Sequence, residues 1–402
     1  MTATGSIILL YCVATAVAIV TQRWRVPYTA ALLLVGVGLG ALHVVPLPHL
    51  TRELLFALFL PGLLFEAAYH LEVHELRASA RTISALAVPG VVLATAFTAA
   101  LLMAGATLLG DSATIGWTTA LIFGGVIAAT DPVAVTALFR QTSAPRRLHV
   151  LIESESLLND GTSIVFLTLM LQYFAGEAPT ALSLATGFVR ITFGGALIGF
   201  IAGWGISKIR SQLDDAAIEI TLTTIAAYGS FVLAEHFQCS GVIATVVAGV
   251  MCGSTGRHRP GMAGTRPAVD SFWEWLAFAL NSAVFLLLGA ELTTSVIVQK
   301  WPLILIGAIA ALGARAIAVG GVSIAFRKTS ERIPWTWSAV MVWGGLRGAL
   351  SLVLALSLES SNRPIIVALT AGTVMLSLVG QGLTMPLVLR KLGIAGEADS
   401  TR

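Results

Sequence analysis

The sequence predicts an all-α polytopic membrane protein with about thirteen transmembrane helices. Two observations lead to this fold class. Hydrophobic residues make up 56% of the chain and charged residues only 11%, so the chain carries more apolar surface than a soluble core can bury. The apolar residues also fall into long runs that are separated by short polar segments. A protein that crosses a bilayer many times accounts for both.

Runs that are long enough and apolar enough to cross the hydrocarbon core occur thirteen times along the chain. The first run lacks a basic leader and a small-residue cleavage site, so we expect it to be a retained span. The predicted spans are residues 5–21, 27–45, 52–70, 82–106, 115–139, 154–175, 183–206, 217–237, 240–254, 272–292, 302–326, 335–358 and 365–389.

The distribution of basic residues supports this count and orients the chain. If Arg23 and Arg25 face the cytoplasm and the loops alternate, eighteen Lys and Arg residues lie inside, three lie outside and three fall within spans. A miscounted helix would destroy this asymmetry. We therefore expect an outside N-terminus, a cytoplasmic C-terminus and location in the plasma (inner) membrane. The net charge of +3 then reflects topology and implies no nucleic-acid partner.

No loop is long enough to form a soluble domain. The sequence therefore predicts a single transmembrane domain over residues 1–392, followed by a short cytoplasmic tail at 393–402. Two spans carry glycines at four-residue spacing, which permits close helix contact either within one chain or between two chains. These glycines are Gly36 and Gly40 in the second span, and Gly195, Gly199 and Gly203 in the seventh.

Charges inside the spans are the most informative residues, because an ion at mid-membrane is costly unless it is paired or functional. They are Glu66, Asp131, Glu155, Asp160, Arg190, Glu219, Glu235, Glu291, Arg315 and Arg347. We expect Glu219, Glu235 and Glu291, which lie near predicted helix ends, to reach towards water.

The fifth span contains a predicted helix break. Pro132 cannot donate a backbone hydrogen bond and its ring crowds the carbonyl of Ala128, so the helix is interrupted beside Thr130 and Asp131. Non-helical backbone at this depth requires protein or a water-filled cavity to receive its polar groups. A proline next to an acidic and a hydroxyl side chain therefore indicates an ion site.

The twelfth span shows a corresponding weak point, in which the glycine-rich segment "GGLRGAL" places Arg347 near the middle. By the predicted topology the fifth and twelfth spans run in opposite directions. Two interrupted helices at opposed positions are typical of inverted-repeat secondary transporters, whose site lies where the broken helices meet. We therefore expect the two breaks to cross at mid-membrane.

The sixth span begins with the acidic stretch "ESESLLNDG" at residues 153–161. On a helix, Ser156 and Asp160 share one face, while Glu155 and Asn159 share the next. The span thus offers cation-binding oxygens beside a hydrogen-bonding face. A solvated helix N-terminus is the alternative interpretation, and it suits Glu153 better than Asp160, which lies two turns further in.

Four segments closely resemble the signature segments of the monovalent cation:proton antiporter-1 family, the NhaP-type and mammalian-type sodium/proton exchangers. They are "FLPGLLFEAAYHLE" (59–72), "ATDPVAV" (129–135), "ESESLLNDGTSIVF" (153–166) and "GGLRGALSL" (344–352). The resemblance implies a secondary antiporter that exchanges sodium or lithium for protons by alternating access, without enzymatic activity or a cofactor. It also implies a homodimer with a role in pH homeostasis.

The resemblance assigns roles to individual residues. Asp160 is expected to bind the cation or a proton, with Asn159 beside it. Supporting oxygens are expected from Thr130, Asp131, Ser156 and Glu66, so that Na+ would lie at Asp160, Ser156, Thr130 and Glu66. A structural charge pair is expected between Glu155 and Arg347. Arg315 resembles a second in-membrane arginine of the family, with no role assigned.

The chemistry of these side chains agrees with the implied exchange. Hard cations such as sodium prefer oxygen ligands, and burial disfavours a charged carboxylate, so cation and proton would compete at Asp160. The sequence contains neither a repeated selectivity filter, as expected of a channel, nor the Gly-x-Gly-Asp signature of an intramembrane aspartyl protease. Potassium/proton exchange on the same fold remains the alternative, because the ligand oxygens alone do not rank the monovalent cations. Since Asn159 does not titrate, we expect electroneutral exchange.

Overall fold

The computed structural model describes residues 3–24, 27–42, 51–110, 115–142, 144–177, 180–210, 212–257, 264–291, 298–360 and 362–394. This part of the chain is helical and contains no β-strand, which confirms the predicted all-α class. The end of the second predicted span and the tail after residue 394 lie outside the described residues.

Twenty α-helices are present in the described ranges, and four π-helical turns continue some of them. The helices are α1 (Ala3–Trp24), α2 (Tyr28–Leu42), α3 (Arg52–Leu54), α4 (Leu60–Tyr69), α5 (Val73–Ala78), α6 (Ala80–Ala87), α7 (Pro89–Leu108), α8 (Trp117–Ala128), α9 (Val133–Gln141), α10 (Arg146–Gln172), α11 (Ala181–Arg210), α12 (Ala216–Thr224), α13 (Ser230–His236), α14 (Gly241–Arg257), α15 (Arg266–Glu291), α16 (Trp301–Ala325), α17 (Trp335–Trp343), α18 (Ala349–Leu356), α19 (Arg363–Leu376) and α20 (Gly382–Lys391). The π-helical turns are Leu55–Phe59, Tyr173–Glu177, Ile225–Gly229 and Ser377–Gln381.

These helices coincide with the predicted apolar segments. Six helical stretches of the described chain are long and apolar enough to cross a membrane, and shorter apolar helices accompany them. The fifth and twelfth predicted spans are each divided into two shorter helices, and α10 carries several charged residues. Length and composition alone therefore do not identify each span. The number thirteen therefore stays a prediction, with which the described helices are consistent.

Two boundaries differ clearly from the predicted ones. Helix α10 begins at Arg146 and not at residue 154, because Pro145 starts a helical turn whose carbonyl accepts the amides of Leu148 and His149. Helix α15 likewise begins at Arg266 and not at residue 272. In both cases charged residues occupy the first turns of a helix, where a hydropathy criterion places a loop.

The chain forms two compact units, each assembled from separated stretches. The first unit comprises Met1–Leu50, Arg81–Ser163 and Ser282–Arg402, and the second comprises Thr51–Ala80 and Ile164–Asn281. The single domain over 1–392 remains a prediction.

Close helix contacts in the first unit occur at small residues. A Cβ atom added at Gly36 or Gly40 of α2 would meet backbone atoms of α15, at Leu286 and Ala290. Helix α16 packs along α7, and α7 packs on α8 where Gly124 lies against the carbonyl of Thr95. The glycines of the second span therefore serve packing within the chain.

Helix α11 packs on α14 in the second unit through the predicted glycine stripe. Gly195, Gly199 and Gly203 lie against Ser240, Ala244 and Ala248 respectively. This contact is also within one chain, which removes the glycine spacing as an argument for dimerisation.

Aromatic side chains fill the core of the second unit. Phe65 and Trp273, both fully buried, lie with their ring centroids 4.5 Å apart. Trp273 also donates from its indole nitrogen to the hydroxyl of Thr223, at 3.1 Å, so that its polar atom is satisfied.

Candidate functional site

Two interrupted helices meet in the first unit. The first break separates α8 from α9, between Ala128 and Val133, and the second separates α17 from α18, between Trp343 and Ala349. The amide of Asp131 in the first break donates to the carbonyl of Leu346 in the second, at 2.8 Å. The predicted meeting of the two broken helices is confirmed.

The local sequence explains why both helices break where they do. Pro132 lacks an amide hydrogen and ends α8 within the apolar run, while Gly344, Gly345 and Gly348 weaken the second helix. Gly348 is also required sterically, because a Cβ atom there would collide with the side chain of Asp131. The two unwound segments can approach so closely only because this residue has no side chain.

Oxygen atoms from the first break and from α10 form the candidate ion site. The hydroxyls of Thr130 and Ser156 are 3.1 Å apart, and Ser156 also donates to the backbone carbonyl of Thr130. Both side chains are buried. The predicted proximity of the Thr130 and Ser156 oxygens is therefore present in the structure.

Asp160 lies on the same face of α10, one turn after Ser156. The backbone amide of Thr130 bonds to the Asp160 carboxylate, whereas carboxylate oxygen Oδ1 is buried and has no hydrogen-bond partner. The side-chain oxygen of Asn159 is also buried without a partner. Buried oxygens without partners are costly, so these two atoms are available to a cation or a water molecule.

Asp131 has a different environment. It is half-buried, and its Oδ1 accepts the amide of Val133, the first residue of α9, at 3.0 Å. Its own amide is bound to Leu346. Asp131 is thus tied to both breaks through its backbone and side chain.

Glu155 forms its ion pair with Arg315 and not with Arg347. The two guanidinium Nη atoms of Arg315 donate to the two carboxylate oxygens of Glu155, each at 2.7 Å. The predicted pairing of Glu155 with Arg347 is therefore wrong. Arg315 and Arg347 both lie near the middle of a predicted span, so the sequence does not distinguish them as partners of Glu155. Only their placement in the folded chain does.

Asn159 links this ion pair to the ion site. Its side-chain amide donates to Glu155 Oε1. The predicted common face of Glu155 and Asn159 is confirmed, and the donation leaves the Asn159 oxygen facing away from the carboxylate. The Glu155–Arg315 pair therefore orients Asn159, which directly precedes the candidate cation ligand Asp160 in the chain.

Arg347 holds backbone instead of a carboxylate. Its Nη1 donates to the carbonyls of Ala128 and Ala129, at 3.2 and 3.3 Å, and its Nη2 donates to Ala311 at 3.2 Å. Ala128 is the last residue of α8 and Ala129 the first residue of the break, where helical partners are missing. Arg347 therefore satisfies the end of α8 across the contact between the breaks.

Glu66 is part of the second unit. It lies on α4, where its carboxylate is 3.4 Å from Nδ1 of His70, one turn later. Its expected contribution to the cation ligands stays a prediction.

Two polar residues next to the second break were not predicted from the sequence. Ser377 and Gln381, on the π-helical turn Ser377–Gln381, bind the backbone on either side of the unwound segment. Neither residue is charged and neither belongs to the quoted motifs. A serine and a glutamine four residues apart within an apolar run were the only available signal.

A second buried ion pair, in the second unit, was also missed. Arg210 and Glu219 are almost inaccessible and lie 3.0 Å apart, and Thr265 donates to Glu219 at 2.8 Å. The expectation that Glu219 reaches towards water is therefore wrong. Asp215 caps the start of α12, and the preceding turn returns the chain so that Glu219 meets Arg210 at the end of α11.

A family model described as "Sodium/hydrogen exchanger, transmembrane" matches residues 8–391. The chain belongs to the sodium/hydrogen exchanger family. This assignment confirms the resemblance inferred from the four sequence segments, and it makes the chain a multi-pass membrane protein.

Two curated members of the sodium/hydrogen exchanger family illustrate the similarity. The chain is 36% identical to the Na(+)/H(+) antiporter ApNhaP of Aphanothece halophytica over 382 residues, which cover 94% of this chain and 72% of that protein. It is also 36% identical to the Na(+)/H(+) antiporter NhaP of Pseudomonas aeruginosa, over 84% of this chain and 81% of that protein.

A solved structure of an exchanger shares the fold. The sodium proton antiporter MjNhaP1 of Methanocaldococcus jannaschii at pH 8 superposes with a TM-score of 0.80 over 97% of this chain and 99% of that chain. The two sequences are 18% identical, so this likeness is evidence for the fold alone.

Proposed function

We propose that this protein is a secondary active antiporter that exchanges sodium, or lithium, for protons. The observation that carries the proposal is the environment of the Asp160 carboxylate. This acid has a buried carboxylate oxygen without a partner, and it lies beside the hydroxyls of Thr130 and Ser156 at the meeting point of two interrupted helices. Membership of the sodium/hydrogen exchanger family and the names of the relatives support it.

The ligand set suits a hard monovalent cation. Asp160 supplies one negative charge, and neutral oxygens are available from the Thr130 backbone carbonyl, the Thr130 and Ser156 hydroxyls and the Asn159 amide. Hard cations prefer such oxygen ligands. The ion is the transported substrate, and the proposed exchange requires no cofactor. Glu66 is a further ligand predicted from the resemblance.

Competition for one carboxylate couples the two fluxes. Asp160 binds either a proton or a cation, and each removes its uncompensated charge. A bare carboxylate is costly to carry across the hydrophobic barrier, whereas the occupied site is neutral. If only the neutral site changes access from one side to the other, inward movement of one ion drives outward movement of the other.

We propose that the exchange is electroneutral. The side chain next to Asp160 in the sequence is Asn159, whose amide does not titrate, so this Asn-Asp pair supplies one titrating carboxylate. A single titrating carboxylate then carries one proton for each cation. Potassium/proton exchange remains the alternative, because the same oxygens bind either cation.

The cellular arrangement is proposed from the sequence and the resemblance. The N-terminus lies outside and the C-terminus in the cytoplasm, because the basic residues are concentrated on one side. The protein works as a homodimer in the plasma (inner) membrane, where it serves pH homeostasis.

Proton flux in proteoliposomes tests the proposal. A pH-sensitive dye inside the vesicles reports exchange when sodium, lithium, potassium or choline is added outside. The parent protein should respond to sodium and lithium, and the matched variant Asp160→Asn should respond to none. A response to potassium alone would select the alternative, and a response in Asp160→Asn would contradict the site.

A further inference from the structure

The second break is held from one side by two side chains of a single π-helical turn. The amide of Arg347 donates to the hydroxyl of Ser377 at 3.1 Å, and the side-chain amide of Gln381 donates to the carbonyl of Trp343 at 3.1 Å. Trp343 is the last residue of α17, and Arg347 lies near the start of α18. Ser377 and Gln381, here called the clamp, therefore bridge the unwound segment.

The two residues of the clamp also orient each other. The hydroxyl of Ser377 donates to Oε1 of Gln381 at 2.5 Å. Because that hydrogen is used, the oxygen of Ser377 can only accept from the Arg347 amide. Because Oε1 of Gln381 accepts from Ser377, the amide nitrogen of Gln381 is directed to Trp343. The chain of three hydrogen bonds has one direction throughout, which makes each bond reinforce the next.

The backbone geometry explains why this turn carries the clamp. A π-helical turn inserts an extra residue and is frequent at functional sites. Here it begins at Ser377 and ends at Gln381, so the residues at its two ends form the clamp. Ser377 is buried and Gln381 is partly buried.

The clamp and the first break bind neighbouring residues of the second break. From the first break, Asp131 donates to Leu346, and Ala128 and Ala129 accept from Arg347. From the π-helical turn between α19 and α20, the clamp binds the amide of Arg347 and the carbonyl of Trp343. Arg347 and the adjacent Leu346 thus connect the clamp to the first break, which contains Thr130 and Asp131.

From these contacts we infer that Ser377 and Gln381 are positioning residues for cation exchange. They hold Leu346 and Arg347 in the arrangement that supports the first break, and hence the Thr130 oxygens beside Asp160. Neither side chain touches the cation. This inference rests on the proposed exchange activity, which it deepens by naming residues outside the four family segments.

The test compares Ser377→Ala and Gln381→Met with the parent in proteoliposomes. Each variant removes hydrogen bonds while nearly keeping side-chain volume. Loss of one such bond is expected to raise the apparent Michaelis constant for sodium about two- to tenfold. The thermal midpoint and the inserted fraction should change little. Ser377→Thr keeps the hydroxyl and should restore the parent's Michaelis constant.

Thr384→Val is the matched control. Thr384 lies one turn beyond Gln381 and accepts from the indole nitrogen of Trp343 at 2.9 Å, so its loss affects the same tryptophan but not the unwound backbone. This variant should keep the parent's Michaelis constant for sodium.

The double variant Ser377→Ala/Gln381→Met gives a further readout. Because the two residues form one chain of hydrogen bonds, its Michaelis constant should rise by less than the product of the two single effects.

Two outcomes would overturn the inference. If the clamp variants exchange with the parent's Michaelis constant, or differ from the parent only in folded yield, the residues are structural. If the parent itself shows no cation-driven proton flux, the exchange activity fails and the inference fails with it. The two failures are distinguishable because the parent is measured in the same experiment.

Discussion

The two buried ion pairs of this protein look alike but have different surroundings. Glu155 with Arg315 in the first unit and Glu219 with Arg210 in the second unit each bury an arginine and a glutamate at hydrogen-bonding distance. In the second unit, Glu219 also accepts from Thr265, and Arg210 donates to the carbonyl of Cys252. Both oxygens of the Glu219 carboxylate therefore have donors.

The first pair differs in what lies next to it. Asn159, which donates to Glu155, directly precedes Asp160, whose Oδ1 is buried without a partner. An isolated buried charge is costly, and proteins retain such a charge mainly at functional sites. A buried ion pair is therefore weak evidence for a transport site. What sets the first region apart is that Asp160 lies next to the hydroxyls of Thr130 and Ser156 where two helices are interrupted.

The largest difference between the two regions should appear when each acid is neutralised. Asp160→Asn keeps the side-chain shape but removes the charge that binds the cation, so exchange should vanish while insertion persists. Glu219→Gln should retain exchange per inserted molecule. Sodium-driven proton flux, normalised to inserted protein, measures both. Flux in Asp160→Asn at the parent's rate would refute the assignment.

Stability should respond strongly to loss of either partner in the first pair. Arg315→Ala leaves the Glu155 carboxylate buried without its counter-ion, which costs about 3–5 kcal/mol. Folded yield and the thermal midpoint in detergent should fall. The double variant Glu155→Gln/Arg315→Met removes both charges and should recover part of the loss.

Arg347 provides the control for that pairing. Arg347→Ala should also destabilise, but adding Glu155→Gln should not rescue it, because Arg347 binds the carbonyls of Ala128, Ala129 and Ala311. Rescue by Glu155→Gln would instead favour Arg347 as the partner of Glu155.

The second pair should affect stability with little direct effect on exchange. Arg210→Met strands the Glu219 carboxylate and should lower the thermal midpoint about as much as Arg315→Ala does. The apparent Michaelis constant for sodium of the remaining folded protein should match the parent's. A large change in that constant would show that the second pair also takes part in transport.

Proton competition should distinguish the regions by pH. Lowering the pH protonates more of the Asp160 carboxylates, so the apparent Michaelis constant for sodium should rise, with a smaller effect on the maximal rate. Glu219→Gln should show the same pH dependence as the parent. A constant apparent affinity over about two pH units would contradict direct competition.

The smallest expected effect is that of voltage. A one-for-one exchange moves no net charge, whereas a second proton would add about 2.3 kcal/mol per 100 mV to the driving force. In vesicles clamped with a potassium ionophore, the sodium gradient that balances a fixed pH gradient should not change with voltage. If it does, Asp131, which is half-buried at the first break, becomes the candidate for the second proton.

Much of the candidate site could be predicted because its residues are close in sequence. The face shared by Ser156 and Asp160 and the one shared by Glu155 and Asn159 follow from helical spacing. The interruptions follow from Pro132 and from the glycines around Arg347. The clamp was missed because Ser377 and Gln381 are uncharged, so nothing in a hydropathy or charge criterion selects them.

Composition and local pattern by themselves determined that this protein is an all-α membrane protein, where two helices break, and which acid on α10 stands beside hydroxyl oxygens. These properties depend on apolar runs, proline chemistry and helical periodicity, all of which act over a few residues. Only the tertiary structure decided that Glu155 binds Arg315, 160 positions away, and that Arg347 holds the end of α8. The sequence predicts only that a buried glutamate needs a basic partner, which either arginine could supply. The packing of α16, which carries Arg315, and of the second break, which carries Arg347, determines which of them binds Glu155.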